Sequence, residues 1–251
     1  MKIRRILLLF ALACSGLVVV GQSKRALFLG NSYTAANNLP QLVSAIATSA
    51  GDTLFTDSNT PGGYTLQGHS TNTTTINKIA QGNWDFVVLQ EQSQRPSFPI
   101  NQVHVEVFPY AAILDSLIDT NCGMTMFYMT WGRKNGDASN CQTWPPVCTY
   151  KGMDSLLHLR YMMMADFNDA EVSPVGAVWN YIRHHHPSIE LYSPDESHPS
   201  IAGSYAAACT FYTAMFRKDP TMATFNSTLS AADANLIKSA VKSVVFDSLM
   251  H

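Results

Sequence analysis

The sequence predicts an α/β fold: a three-layer α/β/α sandwich around a central, mostly parallel five-stranded sheet. Two observations carry this expectation. Short apolar runs alternate with longer stretches of helical spacing from one end of the chain to the other, which is the βα order of a parallel sheet. The runs are also continuous rather than alternating. Phe86-Val87-Val88-Leu89 offers no polar face to solvent, as expected of a strand covered by helices on both sides. With 251 residues, 46% of them hydrophobic, the chain can bury one full core. No internal repeat or linker divides it, so residues 23–251 are expected to form a single domain.

The elements follow in order. Residues 25–29 form a first apolar strand, and 39–50 a helix stopped by Gly51. Residues 53–56 suit a second strand. The polar stretch 70–81 has helical spacing and closes at Gly82. Residues 85–90 are the clearest strand. A helix over 103–119, a strand over 124–130 and a Met- and Leu-rich helix over 150–168 come next. A last strand is expected over 171–175, a helix over 176–186, and closing helices over 201–216 and 231–249. Residues 131–149 are the longest stretch without periodicity, a length that points to a functional loop.

Charged residues make up 14% of the chain, below the usual quarter, and the formal net charge is -2. Neither nucleic acid nor an anionic membrane surface is favoured as a partner. Residues 1–22 read as an export signal. Lys2, Arg4 and Arg5 precede a mostly apolar run over 6–20 that is short for a membrane span, so the mature chain is expected to have none. Two alternatives stay open: an uncleaved N-terminal anchor, and lipidation at Cys14, which follows Leu12-Ala13. Cleavage leaves Cys122, Cys141, Cys148 and Cys209, enough for two disulfides in an oxidising compartment. Cys141 and Cys148 are close enough for a local staple. Cys122 and Cys209 sit beside apolar segments and suit buried thiols. No Cys/His spacing suggests zinc, and the run His184-His185-His186 fits a helix C-terminus better than a metal site.

Candidate chemistry sits at the ends of the predicted strands, where ligands bind on such sheets. Gly30-Asn31-Ser32 follows the first strand, and a turn there can lift the Ser32 hydroxyl above the sheet edge. Asp195 and His198 lie three apart in Asp195-Glu196-Ser197-His198-Pro199, so a tight loop can set the carboxylate against one ring nitrogen while the other faces a serine. Pro61-Gly62-Gly63-Tyr64-Thr65 follows the second strand, where glycines let backbone N–H groups approach a substrate oxygen. Gln90-Glu91-Gln92 closes the third strand with amide side chains. Each segment also has an ordinary reading: a helix cap at Ser32, a capped loop before Ser200, a plain turn, a polar loop.

The order of the four segments resembles the SGNH/GDSL hydrolase superfamily, named for a Ser, a Gly, an Asn and a His. The likeness spans residues 26–216. It implies Ser32 as nucleophile, His198 as general base and Asp195 as its partner. It implies Gly63 rather than Gly62 as the second-block glycine, and Gln92 in place of the oxyanion Asn, with Gln90 as fallback. Asn31 stands where the family usually has Asp. The Gln-Glu-Gln block looks like a bacterial subgroup associated with carbohydrate esterases. The resemblance implies a serine esterase without cofactor or metal, acting on a small-molecule or glycan ester, with removal of a short acyl group, acetyl first, from a carbohydrate as the first expectation. A lysophospholipase or thioesterase of the same fold, or a carbohydrate-binding protein without turnover, are the alternatives. No long apolar lid segment is present to suit a long-chain lipase. Trp131, Arg133 and Trp144, in or beside the long loop, and Tyr64, His69 and Arg95 are further cleft candidates.

Overall fold

The computed structural model describes residues 21–249. The expected export signal over residues 1–22 and Cys14 therefore lie almost wholly outside the described residues. Five parallel strands form one sheet in the order β2-β1-β3-β4-β5. They are β1 (Ser23–Leu29), β2 (Thr53–Asn59), β3 (Phe86–Leu89), β4 (Met124–Tyr128) and β5 (Glu171–Ser173). The fold class is the one the sequence predicts. Because successive side chains of a strand point to opposite faces, each strand feeds two cores. Ala26, Phe28, Val88 and Tyr128 face one layer, while Leu27, Leu29, Leu89 and Phe127 face the other.

The first layer is built from α2 (Leu39–Ser49), α8 (Val175–His185), α9 (Ile201–Phe216) and α10 (Ala231–Val241). The α9 helix is buried on nearly every side, which explains its Ala-rich, almost uncharged sequence. The second layer holds α4 (Thr73–Ala80), α6 (Phe108–Thr120) and α7 (Tyr150–Phe167). Among the described residues no helix is long and apolar enough to cross a membrane.

Several boundaries differ from the sequence expectation, each for a local reason. The stretch expected as one helix over 70–81 is two, α3 (Leu66–Thr71) and α4. Asn72 takes an extended conformation between them and its side chain caps Thr75 N–H, a favourable role for Asn. The helix expected over 103–119 is broken at Val107 into α5 (Ile100–Glu106) and α6, because Pro109 has no N–H to continue the ladder. Pro174 likewise stops β5 two residues early. The closing helix is interrupted by a π turn at Lys242–Phe246. In contrast, β2 runs three residues past its expected end, paired with β1 as far as Leu29↔Asn59. As an edge strand it tolerates Asp57, Ser58 and Asn59.

Cys141 and Cys148 form a disulfide within the long loop. Cys209 is a buried thiol, as its apolar setting suggests. Cys122 is not: it is exposed, in a left-handed turn (φ 58°) that leaves α6.

An aromatic pile ties the first layer to the end of β4. Trp131 stacks on Trp179 at 3.6 Å and on Tyr33 at 4.9 Å, and Tyr192 meets Trp179 edge-on at 4.9 Å. Both tryptophans are fully buried. Gly203 lies so close that an added Cβ would sit 2.5 Å from the Trp179 ring. Trp179→Ala is expected to cost about 3–5 kcal/mol of stability, since the pile cannot collapse into the gap. The exposed Met222, truncated to Ala, should stay within about 0.5 kcal/mol. Urea unfolding of the two variants tests the contrast.

Candidate active site

The site lies at the carboxyl ends of β1, β2, β3 and β4, beside the point where the strand order reverses between β1 and β3. Its centre is the turn after β1. Gly30 leads into Asn31, which is the N-cap of α1 (Ser32–Ala35) and accepts a hydrogen bond from Tyr33 N–H at 3.1 Å. The ordinary reading of Ser32 as helix cap is therefore not what the turn adopts. Asn31 does the capping and leaves the Ser32 hydroxyl free. Asn31 Nδ2 also donates to Tyr64 O at 2.8 Å, linking the turn to the loop after β2.

Gln90 anchors this turn from the neighbouring strand. Its Oε1 accepts from Asn31 N–H at 3.0 Å and from Thr34 Oγ1 at 2.9 Å. The approach requires glycine at position 30: a Cβ there would stand 2.6 Å from Gln90 Oε1 and 2.4 Å from Thr34 Oγ1. Gln90 is completely buried and committed to this role, which removes it as a fallback oxyanion donor. His69, expected as a cleft candidate, is also buried beneath the turn. Its Nε2 donates to Gly30 O at 2.9 Å and its Nδ1 pairs with Thr75 Oγ1 at 2.8 Å. Burial lowers its pKa, in keeping with a neutral ring that makes both bonds.

Asp195 and His198 reach the same point from the loop before α9. His198 Nε2 lies 2.8 Å from Ser32 Oγ, and His198 Nδ1 bonds Asp195 Oδ2. Asp195 Oδ1 also accepts the backbone N–H groups of Ser197 (3.1 Å) and His198 (3.0 Å). A carboxylate only accepts, so Nδ1 carries the ring hydrogen, and Nε2 is left to accept from the serine. Partial burial raises the Asp195 pKa. The His198 ring and the two backbone donors outweigh that and hold the carboxyl below its ordinary value. The loop is fixed by the aromatic pile beneath it. Tyr33 and Ser197 share a 2.6 Å hydroxyl–hydroxyl bond, Trp131 Nε1 donates to Ser197 O at 3.1 Å, and Tyr33 meets the His198 ring edge-on at 5.1 Å.

Asn31, Ser32, Tyr33, Gly63, Gln92, Ser93, Arg133, Ser197 and His198 together line a cleft of about 290 Å³. Gly63 has a left-handed backbone (φ 67°), which only glycine adopts without strain. Gln92 folds back on its own loop. Its Oε1 accepts from Gln94 N–H (2.9 Å) and Arg95 N–H (3.2 Å), and its Nε2 donates to Gln94 Oε1 at 3.1 Å. An amide nitrogen has two hydrogens, and this loop uses one of them.

The other cleft candidates divide. Arg133 lines the cleft; Trp131 does not, being fully buried in the pile. Trp144 donates from Nε1 to Ser97 O and packs against the second core. Arg95 pairs with Glu106 at 3.5 Å, and Tyr64 packs edge-on against His69. Tyr33, Ser93 and Ser197 are cleft residues that sequence reasoning missed; position +1 from Ser32 and −1 from His198 was the only signal for two of them. Among the described residues no group of three or more His, Cys, Asp and Glu is placed to hold a metal ion.

No protein-family model matches the sequence, and no curated protein sequence matches it. Solved structures do. A DUF4886 family protein from Bacteroides uniformis matches with TM-score 0.74 at 15% identity, covering 91% of this chain and 95% of that one. A protein from Slackia heliotrinireducens described as an SGNH hydrolase matches with TM-score 0.64 at 26% identity, covering 77% and 99%. A variant of a Geobacillus acetyl-xylooligosaccharide esterase matches with TM-score 0.52 at 15% identity, covering 78% and 95%. The chain has the fold of the SGNH/GDSL hydrolases, a fold shared with esterases and lipases.

One buried acid braces the cleft walls. Glu91 Oε2 accepts from Leu66 N–H at 3.2 Å and Oε1 from Gln92 N–H at 2.5 Å, joining the loop after β2 to the loop after β3. Burial pushes its pKa from 4.5 up to about 7, against the pull of those backbone donors and of Arg95. The folded protein thus holds this proton more tightly than the unfolded chain does. The stabilisation is full below about pH 4.5 and is lost as pH rises through about 7. Unfolding measured at pH 5 and pH 8 should show the wild type losing up to about 3 kcal/mol more than Glu91→Gln over that interval. Equal losses would remove the assignment.

Proposed function

We propose that the protein is an exported serine esterase that removes short acyl groups, acetyl foremost, from carbohydrates. The observation that carries the reading is the line from Ser32 Oγ through the His198 ring to Asp195, with 2.8 Å between hydroxyl and Nε2, at the head of a cleft lined by Gly63 and Gln92. The small cleft supports a short acyl group. The sugar component rests on the Gln-Glu-Gln block and on the esterase similarity, and export rests on the N-terminal sequence.

The chemistry proposed is acyl transfer in two steps. Ser32 Oγ attacks the ester carbonyl carbon while His198 Nε2 takes the hydroxyl proton. The carbonyl oxygen becomes an oxyanion, held by the Ser32 and Gly63 N–H groups and the free Gln92 amide hydrogen. The C–O bond to the alcohol then breaks, and His198 returns the proton to the departing oxygen. Water attacks the acyl-enzyme with His198 again as base, the acid leaves, and Ser32 is regenerated. Asp195 holds the ring tautomer and stabilises the imidazolium throughout.

Hydrolysis of para-nitrophenyl acetate and longer esters tests the reading. Activity should fall with acyl length, and Ser32→Ala should lower kcat by about 10⁴-fold or more and abolish labelling by a fluorophosphonate. Gln92→Ala should lower kcat by about 10²–10³-fold. A folded wild type that neither turns over these esters nor accepts the label would overturn the proposal and favour a binding protein.

A further inference from the structure

The cleft has a charge asymmetry that the ester chemistry itself does not use. Of the residues that line it, Arg133 is the permanent cation, and none is a carboxylate. Acyl transfer through Ser32 and His198 needs no such cation. Arg133 is nonetheless held in place with care. Its backbone follows Gly132, whose N–H is bound by Asp154 Oδ1 at 3.1 Å and where a Cβ would meet Tyr150 O at 2.9 Å. Its own N–H contacts Met153 Sδ at 3.4 Å.

The side chain is anchored but not saturated. Arg133 Nη1 lies 3.3 Å from Asp137 Oδ1, a single contact rather than a two-pronged pair. Asp137 is fully buried and divides its charge among other donors. It accepts from Gln94 Nε2 and Asn140 Nδ2, both at 2.7 Å, and from Ser139 N–H at 3.2 Å. A guanidinium has five N–H donors, and this contact uses one. The Arg133 side chain keeps 26% of its surface exposed, and the residue lines the cleft. The arrangement orients the fork and leaves donors for a planar anion.

We infer that Arg133 forms a carboxylate-binding subsite, so that the preferred substrate is an acyl ester bearing a carboxylate within about one ring of the scissile carbonyl. On the alcohol side this means an acylated uronic-acid-type sugar; on the acyl side, the half-ester of a dicarboxylic acid. The inference rests on the serine-esterase reading and deepens it by naming the substrate class.

Two matched pairs of esters separate the sources. The first is para-acetoxybenzoate against para-acetoxybenzamide, with the charge on the alcohol. The second is the mono-para-nitrophenyl ester of succinic acid against that of succinamic acid, with the charge on the acyl group. In one pair the wild type should prefer the carboxylate by about tenfold to hundredfold in kcat/KM, the range of a hydrogen bond to a charged group. Arg133→Gln should bring that ratio to about one. Arg133→Lys keeps a cation beside Asp137 but loses the fork, and should lower the ratio about threefold or more; it carries the test if loss of Asp137's partner unfolds the Gln variant. Ratios near one for both pairs in the wild type, or a preference that survives the substitutions, would overturn the subsite. If none of the four esters is hydrolysed, the esterase reading fails separately, and binding of benzoate and benzamide to Ser32→Ala protein decides the subsite. Tighter benzoate binding that disappears on adding Arg133→Gln supports it; equal binding of the two overturns it.

Discussion

The turn after β1 depends on one acceptor atom. Gln90 Oε1 takes hydrogen bonds from Asn31 N–H and Thr34 Oγ1, across the pairing of β1 with β3. A buried amide oxygen left unpaired would cost about 1–3 kcal/mol, so the bonds hold both strands' ends in one register. Every other placement in the site is referred to that turn. Asn31, once positioned, caps α1 and reaches Tyr64 O, which sets the loop carrying Gly63. Tyr33, the next residue but one, stacks on Trp131 and bonds Ser197, which sets the loop carrying His198. A single side chain in β3's continuation thus orients groups supplied by three other segments.

The second constraint is apolar. The Asp195–His198 loop is half exposed and has little core of its own, as the side-chain exposures of 50% for Asp195 and 38% for His198 indicate. Its position is borrowed from the stack of Tyr33, Trp131, Trp179 and Tyr192 beneath it. Aromatic stacking adds directional preference to area burial, which suits a pile whose task is to fix an angle as well as a depth. Polar bonds from the pile's edges, Trp131 Nε1 to Ser197 O and Tyr192 OH to Gly132 O, then attach the two loops that flank the cleft. Stability and site geometry are therefore coupled through the same rings.

Much of this was legible in the sequence because its signals are local. Continuous apolar strands, Gly-Asn-Ser after one strand, Gly-Gly after the next and Asp-x-x-His near the end each occupy a few consecutive residues. What escaped was set by pairs distant in sequence or by single backbone breaks. Hydropathy cannot show that Val107 leaves the helix ahead of Pro109, or that Asn72 caps one helix while ending another. Gln90 and Gln92 look alike as strings. Both lie just past the end of β3, where the chain leaves the ladder and strand periodicity no longer says which way a side chain points: one is buried against Asn31 while the other lines the cleft. Arg133 is ambiguous in a loop until Asp137 is found buried behind it, a pairing i,i+4 in sequence but outside any helix.

The departures from the superfamily pattern form one connected set rather than independent substitutions. An Asp at position 31 could still cap α1 through its carboxylate, but it has no hydrogen to give Tyr64 O, and would face that carbonyl with a negative charge. Asn31 supplies both functions, acceptor to Tyr33 N–H and donor to Tyr64 O. With the turn and the second loop joined in this way, Glu91 joins the second loop to the third through Leu66 N–H and Gln92 N–H. Gln92 uses its length to fold back, its oxygen accepting from Gln94 and Arg95 N–H and its nitrogen donating to Gln94 Oε1, while the residue still lines the cleft. A shorter Asn from the same backbone position would have to give up one of those tasks. The amide at 31, the acid at 91 and the long amide at 92 are thus three parts of a single brace across the mouths of β1, β2 and β3.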